Sequence, residues 1–434
     1  MTLLPIDDDL RAQLHNEVHA RPSARIRLPA FILLVGVFNE GISREQECEH
    51  LQKLDPNLSL HDVQGNFVRL RLNDYTLKWE RHTEFTRYSL VQPLPQGVNL
   101  DSHDPELLSH LLLPADWLAS IPGKTFAAIE LVMLHGEVDQ PHQALEQVRP
   151  WFGDHPVIAS RMGTPAHSVV VTDFRLRDSG FERMLVVAPV GTSTTRAGRI
   201  SQRLLEFETY RLMALRGLPV AKQVGAKLGQ AEKDLAGIIE SLERKVTDDQ
   251  ALLNSLVGLA ATVERLTAEN SYRFSATAAY DKLVNERITE LRESPITGTQ
   301  SIGEFMKRRL SPAMATVNAT AQRLASLSER ISRASALLRT RVDIATEEQN
   351  RLLLEKLTKG QALQLRLQTT VEGLSIAAIS YYVVSLLLYA GKAAKVAGLG
   401  VEPELLAGAF IPVVLWLVWV ATRRIHAKLY RDEL

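Results

Sequence analysis

The chain has 434 residues, 45% of them hydrophobic, and its 50 Lys plus Arg balance 50 Asp plus Glu. That length makes room for two or three units, each with its own core, and the zero net charge supplies no global basic field of the kind that draws proteins to nucleic acid. The single cysteine, Cys48, excludes an intramolecular disulfide and a four-cysteine metal site, and it fits a reducing compartment.

Residues 1–192 read as an α+β domain. Met1 to Leu10 carries Asp7, Asp8 and Asp9 and lacks the basic start and apolar stretch of a secretory signal, so a cytosolic domain is expected. Asp7 to Ala20 reads as a helix that stops before Pro22, and Phe31 to Phe38 as a buried strand too short to cross a bilayer. Ser43 and Gln46 have the spacing of a capping box opening a helix to Leu54. The stretches 67–72, 75–79 and 85–90 alternate large and polar side chains, with a hairpin turn at Asn73-Asp74. Further strands are predicted at 125–134, 168–176 and 182–190, the last two joined by a turn at Asp178-Ser-Gly180.

Candidate chemistry in this domain is sparse. His15 and His19, four apart on a helix, face the same way, so both imidazoles can reach one divalent metal; a purely structural histidine pair has the same spacing. Glu17 does not directly follow the first histidine as a zincin requires. Trp79, Arg81, His82 and Glu84 gather at a strand end and turn, where ligand sites often form, although a solvated hairpin with cross-strand ion pairs looks alike. Gly191 to Thr195 lies where a strand gives way to a helix and can offer backbone donors to a phosphate or simply cap the helix; the Walker lysine is missing. Cys48 has acidic neighbours that disfavour a thiolate, no Gly-x-Ser-x-Gly elbow is present, and nothing calls for a cofactor.

Residues 193–370 are rich in Ala, Leu, Arg, Glu and Gln, the mixture of long helices, and read as a bundle or coiled-coil stalk. Breaks are predicted at Gly217-Leu-Pro219, at Asp248-Asp249 and at 294–298. Beyond Pro312 no further proline or obvious stop appears until the first apolar span, so one helix can run from there into that span. Leu324, Ile331, Leu338, Ala345 and Leu352 recur every seven residues, which suits either an antiparallel bundle within one chain or a parallel homo-oligomer.

Residues 371–422 contain two charge-free stretches, about 373–391 and 405–422, each of the length a helix needs to span a bilayer. Trp416 and Trp419 are aromatics of the kind found near membrane interfaces, and neighbouring helices normally accommodate a proline such as Pro412. Arg423, Arg424, Lys428 and Arg431 make 423–434 a basic tail that is expected to stay in the cytosol, and an even number of spans puts both termini there. The closing Arg-Asp-Glu-Leu looks like a lumenal retrieval address, but this tail is predicted outside a lumen.

Several strings are familiar together: 14–22 (LHNEVHARP), 77–88 (LKWERHTEFTRY), 204–212 (LLEFETYRL), 338–343 (LRTRVD) and 368–382. They resemble, along essentially the whole chain, a bacterial domain-of-unknown-function family of uncharacterised membrane-anchored proteins. The resemblance implies a bacterial inner-membrane location and supplies no activity. The plan of a cytosolic domain, helical stalk and two carboxyl-terminal spans is also similar to CorA-type magnesium channels, but their Gly-Met-Asn signature is replaced by Gly391-Lys-Ala-Ala-Lys395. Glu402 and Glu404 can line a pore mouth in an oligomer or sit as two solvated acids in a loop.

The expectation is thus a non-enzymatic, membrane-anchored binding, sensing or scaffold protein with a cytosolic ligand or protein partner and the lipid bilayer around its end. An oligomeric ion channel or transporter is the alternative, and an anchored metal-dependent hydrolase using His15 and His19 the third.

Overall fold

The computed structural model describes residues 8–11, 14–15, 24–63, 65–244, 248–398, 400 and 402–429, the last five by their backbone. Contacts divide the chain into two units, 1–335 and 336–434.

The first unit is built on a mixed sheet of nine described strands. They are β1 (Ala30–Phe38), β2 (Phe67–Arg71), β3 (Thr76–Arg81), β4 (Phe85–Pro93), β5 (Lys124–His135), β6 (Ile158–Met162), β7 (Ser168–Leu176), β8 (Glu182–Ala188) and β9 (Ser294–Pro295). Their spatial order is β2-β3-β4-β1-β5-β8-β7-β6-β9. Only β5 and β8 pair in parallel; the other ladders are antiparallel. Strand β1 is central and almost wholly apolar, because side chains alternate between faces and both of its faces are covered.

One face carries Phe31, Leu33, Trp79, Tyr88, Val132 and Leu185. Over it lie α1 (Arg44–Gln52), α2 (Leu60–Val63), α3 (Ala115–Ala119) and α4 (Pro141–Val148), which contribute Cys48, Leu51, Val63, Trp117, Leu145 and Val148. The opposite face carries Ile32, Leu34, Ile129, Leu131 and Val186 and meets Leu204, Phe207 and Met213 of α5 (Thr194–Leu215). Val284 of α7 (Asp249–Leu291) and Met306 and Leu310 near the start of α8 (Ile302–Val396) join the same core.

Two strand-to-helix crossings use the same local device. After β1, the Ile42 amide donates to Asn39 O, Gly41 takes φ +74°, and Ser43 caps α1. After β8, the Thr192 amide donates to Pro189 O, Gly191 takes φ +87°, and Ser193 caps α5. A glycine is needed at each turn because an L side chain resists positive φ.

Helix α6 (Gly217–Arg244) buries Ala221, Val224, Leu228, Ala231 and Leu235, a three-then-four spacing that makes one continuous apolar stripe. It packs along α7, and Arg323 of α8 reaches Glu232 of α6 at 2.7 Å. Leu324, Leu327, Ile331 and Ala334 are buried there, so this part of the seven-residue stripe is satisfied within one chain. Of the predicted breaks, Gly217-Leu-Pro219 opens α6, Asp248-Asp249 opens α7, and 294–298 lies between α7 and α8.

Helix α8 begins ten residues before Pro312, which lies inside it. Its start is fixed by a capping box, with the Glu304 amide donating to Ser301 Oγ and the Ser301 amide to Glu304 Oε2. The Glu293 carboxylate also accepts from the Gly303 amide at 2.9 Å. These acceptors satisfy amides that a helix start leaves without partners, and the two carboxylates favour the positive end of its dipole.

The second unit consists of the rest of α8 and α9 (Pro403–Leu429). The chain is therefore an α+β mixed-sheet domain followed by long helices and a pair of apolar carboxyl-terminal helices.

Candidate functional site

On parallel neighbours β5 and β8, Glu130, inside an apolar buried stretch of β5, sits directly opposite Arg183, which is buried next to Glu182 at the start of β8. Charges tolerate such positions only when paired and hydrogen-bonded. Arg183 Nε donates to Glu130 Oε2 at 2.9 Å, Nη1 to Asp104 Oδ1 at 2.5 Å and Nη2 to Pro105 O at 3.1 Å. From the end of β7, Arg177 reaches the same Asp104 oxygen at 2.5 Å and Trp151 O at 2.8 Å. Burial pushes the Glu130 carboxyl above its ordinary pKa, and the Arg183 charge offsets only part of that.

These bonds pin the segment around Asp104 and the short helical turn Arg149–Phe152 over the strand ends, leaving a cleft of about 460 Å³. Arg175 Nη1 lies 3.1 Å from His155 Nδ1, and both residues line the cleft. Asp173, Glu106 and Asp178 add carboxylates. The lining thus sets guanidinium donors beside carboxylate acceptors, which equips it to hold a polar ligand carrying both charges or both hydrogen-bonding roles.

Two of the five described non-glycine residues at positive φ lie at or beside this cleft. Asp104 has φ +36° and Phe174 has φ +50°, and the β7 ladder to β8 slips between Thr172 and Leu176. Such outliers in non-glycine residues are concentrated at ligand clamps and switch regions. Phe174 is held by stacking on Phe305 at 5.0 Å and by the Arg211 guanidinium 5.2 Å above its ring.

Behind the cleft, Arg211 of α5 pairs with Glu208 and, at 3.2 Å, with Glu182 at the start of β8. Burial, with Glu208 as a second cause, pushes the Glu182 carboxyl up to about 9.

The second unit shows a different surface. Both α8 and α9 contain a stretch long and apolar enough to cross a membrane, and few of those residues are buried in the protein. Leu374, Tyr381, Leu386, Leu405 and Trp416 are exposed, while Ser380, Ala407 and Val414 are buried. Lys395 Nζ and Glu402 Oε1 stand 3.1 Å apart across the connection between the two helices.

Residues 7–429 match the family described as "Protein of unknown function (DUF3422)". The chain belongs to this family. No curated protein matches it.

The residues singled out in this DUF3422 chain from sequence fall in separate places. His15 is exposed, and His19 lies outside the described residues. Among the described residues, no group of three or more His, Cys, Asp or Glu is placed to hold a metal ion. Trp79 is fully buried in the sheet core. Arg81 pairs with Glu47 and donates to Ile42 O at 2.8 Å, tying the β3–β4 hairpin to the start of α1. His82 stacks on Phe85 with ring centroids 4.5 Å apart. Glu84 pairs with Arg273 and accepts from the Tyr280 hydroxyl at 2.8 Å, joining the hairpin to α7. Glu402 pairs with Lys395 as above, and Glu404 is exposed in the first turn of α9.

Asp104, Glu130, His155, Arg177 and Arg183 were not anticipated. The signal available in the sequence is Glu130, a charge set in a run of apolar strand residues; Arg183 follows Glu182 and carries no such signal.

Proposed function

We propose that this protein is a membrane-anchored binding protein whose α+β domain faces the cytosol and holds a polar ligand in the Arg-lined cleft beside Asp104. The observation that supports it most is the helix pair 373–391 and 405–422. Most of its leucines, tyrosines and tryptophans are exposed among the described residues, and water solvates such a surface at a large free-energy cost. Helices satisfy their own backbone groups, so the same surface dissolves in hydrocarbon without penalty.

Arg423, Arg424 and the basic residues after them set the orientation. They keep the end of α9 on the cytosolic face, and two spans then return the amino-terminal domain to that side. The bacterial inner membrane is the compartment this reading assigns.

The experiment is fractionation of the full chain expressed in bacteria, followed by an alkaline wash of the membranes. Retention in the washed pellet is expected. Release into the supernatant overturns the anchor, and divalent-cation flux through liposomes reconstituted with the pure protein replaces the binding reading by a channel.

A further inference from the structure

From Asp343 to Val371, helix α8 runs without a break and every residue is exposed. This stretch precedes the apolar span and carries Glu347, Glu348, Arg351, Glu355, Lys356, Lys359 and Arg366, so it belongs to water rather than to the hydrocarbon layer. Yet Leu352, Leu353, Leu357, Leu363, Leu367 and Val371 are each between 48% and 64% exposed. Isolated surface leucines are ordinary, but a continuous band of them on one helix is not.

At 100° per residue these six side chains fall within an arc of about 140°, while the equally exposed Leu354 and Leu365 lie together just beyond one edge of it. Leu352, Leu363 and Leu374 are eleven residues apart, a repeat that drifts by only about 20° each time and so keeps the band on one side. Arg351, Glu355, Lys359 and Arg366 lie outside the arc, where Lys359 Nζ and Glu355 Oε1 are 2.9 Å apart. Lys356 is the one charge within it, alongside the uncharged Gln364 and Thr370; a charge in such a seam fixes its register at some cost in stability.

We propose that this leucine band is the seam on which a second copy of the chain docks, helix beside helix, parallel and in register, just before the first membrane span. The area approaches what a copy of itself needs. Five leucines and Val371, about half exposed at on the order of 100 Å² each, offer roughly 600 Å² per chain, against the ~800 Å² per partner of a stable interface. Orientation follows from the anchor, and this clause rests on the membrane reading proposed above. Two copies held in one bilayer send α8 away from it in the same direction and from the same height, which brings identical leucines level. Confinement to the membrane also raises the effective concentration of one copy around another. The seam lies beyond the buried part of the seven-residue stripe, whose Leu324, Ile331 and Leu338 are covered.

Disulfide trapping of the full-length protein in bacterial membranes tests the seam. In a Cys48→Ala background, Leu353→Cys and Leu367→Cys place thiols on the band, and Glu355→Cys and Arg366→Cys place them outside it. A disulfide needs Cα atoms about 4.4–6.8 Å apart, so only facing positions link efficiently. Under a mild oxidant, the two band variants are expected to form dimers at least tenfold faster than the two controls. In detergent, the unmodified chain should sediment as a multiple of 48.4 kDa. Leu353→Asp combined with Leu367→Asp should sediment as a monomer while remaining in membranes.

Equal linking at all four positions, no linking at any, links only to other proteins, or a monomeric unmodified chain overturns the proposal. So does a band cysteine that is shielded from aqueous maleimide yet never links, the mark of a helix lying on the lipid surface. An alkaline wash of the same membranes keeps the two readings apart. Protein that washes off but still links at 353 and 367 ends the anchor and keeps the seam; protein that stays but does not link ends the seam alone.

Discussion

Glu130 and Arg183 face each other across the parallel β5–β8 ladder, with Arg183 Nε 2.9 Å from Glu130 Oε2. Both side chains are almost fully buried. Removing one partner strands the other charge, whereas removing both also removes the desolvation cost. Arg183→Met is therefore expected to cost about 3–5 kcal/mol. Glu130→Leu with Arg183→Met should recover part of that, the remainder being the lost tethers to Asp104 and Pro105. Thermal unfolding of the purified protein in detergent reads the difference.

The Glu182 carboxyl gives the fold a pH dependence of definite sign. Its folded pKa of about 9 lies above the ordinary 4.5, because burial and Glu208 favour the protonated form. Below about pH 4.5 both folded and unfolded chains hold the proton. As pH rises from there towards 9, the unfolded chain releases it first, so this group's contribution to stability falls. Glu182→Gln cannot ionise and should unfold at a higher temperature than the parent at pH 8, with the gap closing at pH 4.5.

His50 acts in the opposite direction. It is buried, stacked on Trp117 with centroids 4.2 Å apart, and its pKa is pushed down to about 4 by burial and, less strongly, by Lys53. An imidazole held neutral contributes stability that is present above about pH 6.5 and is lost as pH falls towards 4. His50→Phe should flatten the decline in unfolding temperature over that interval; an unchanged slope assigns the decline to other groups.

Two glycines on long helices should respond oppositely to alanine. At Gly198 a Cβ would lie 1.6 Å from the Ala24 carbonyl oxygen, so Gly198→Ala forces backbone apart and should cost at least about 1–3 kcal/mol. At Gly225 nothing lies within 4 Å of that Cβ, and Gly225→Ala should stabilise α6 by about 0.5–1 kcal/mol. Paired melting curves decide both.

Local chemistry was readable in the sequence where it acts locally. The Ser43–Gln46 capping box is present, with the Ser43 amide donating to Gln46 Oε1 at 2.9 Å and the Gln46 amide to Ser43 Oγ at 3.3 Å. The strands expected near 31–38, 85–90, 125–134 and 168–176 form β1, β4, β5 and β7. Strand β6 escaped because Ile158-Ala-Ser-Arg-Met162 has little apolar pattern of its own. It exists through pairing with β7 and β9, contacts that join residues far apart in the chain. The break predicted at 294–298 lies just before α8, whose start at Ile302 is fixed by Ser301, Glu304 and Glu293, and Pro312 falls inside the helix.

The cleft was hidden for the same physical reason as β6. Asp104, Glu130, Trp151, Arg177 and Arg183 come from five separate segments, and only the strand order β5-β8-β7 brings them together. In contrast, the apolar stretches of α8 and α9 were legible at once, since mean hydropathy over a helix length requires no tertiary knowledge.

The central claim is that the carboxyl-terminal helix pair lies in lipid, and single cysteines placed from 366 to 424 of a Cys48→Ala chain test it most directly. In sealed vesicles of known orientation, a water-soluble maleimide is expected to label positions 366 and 424 from the cytosolic side and 400 from the other, and to spare 376–389 and 407–420. Uniform labelling through both apolar stretches, or labelling of 400 and 424 from the same side, would contradict it.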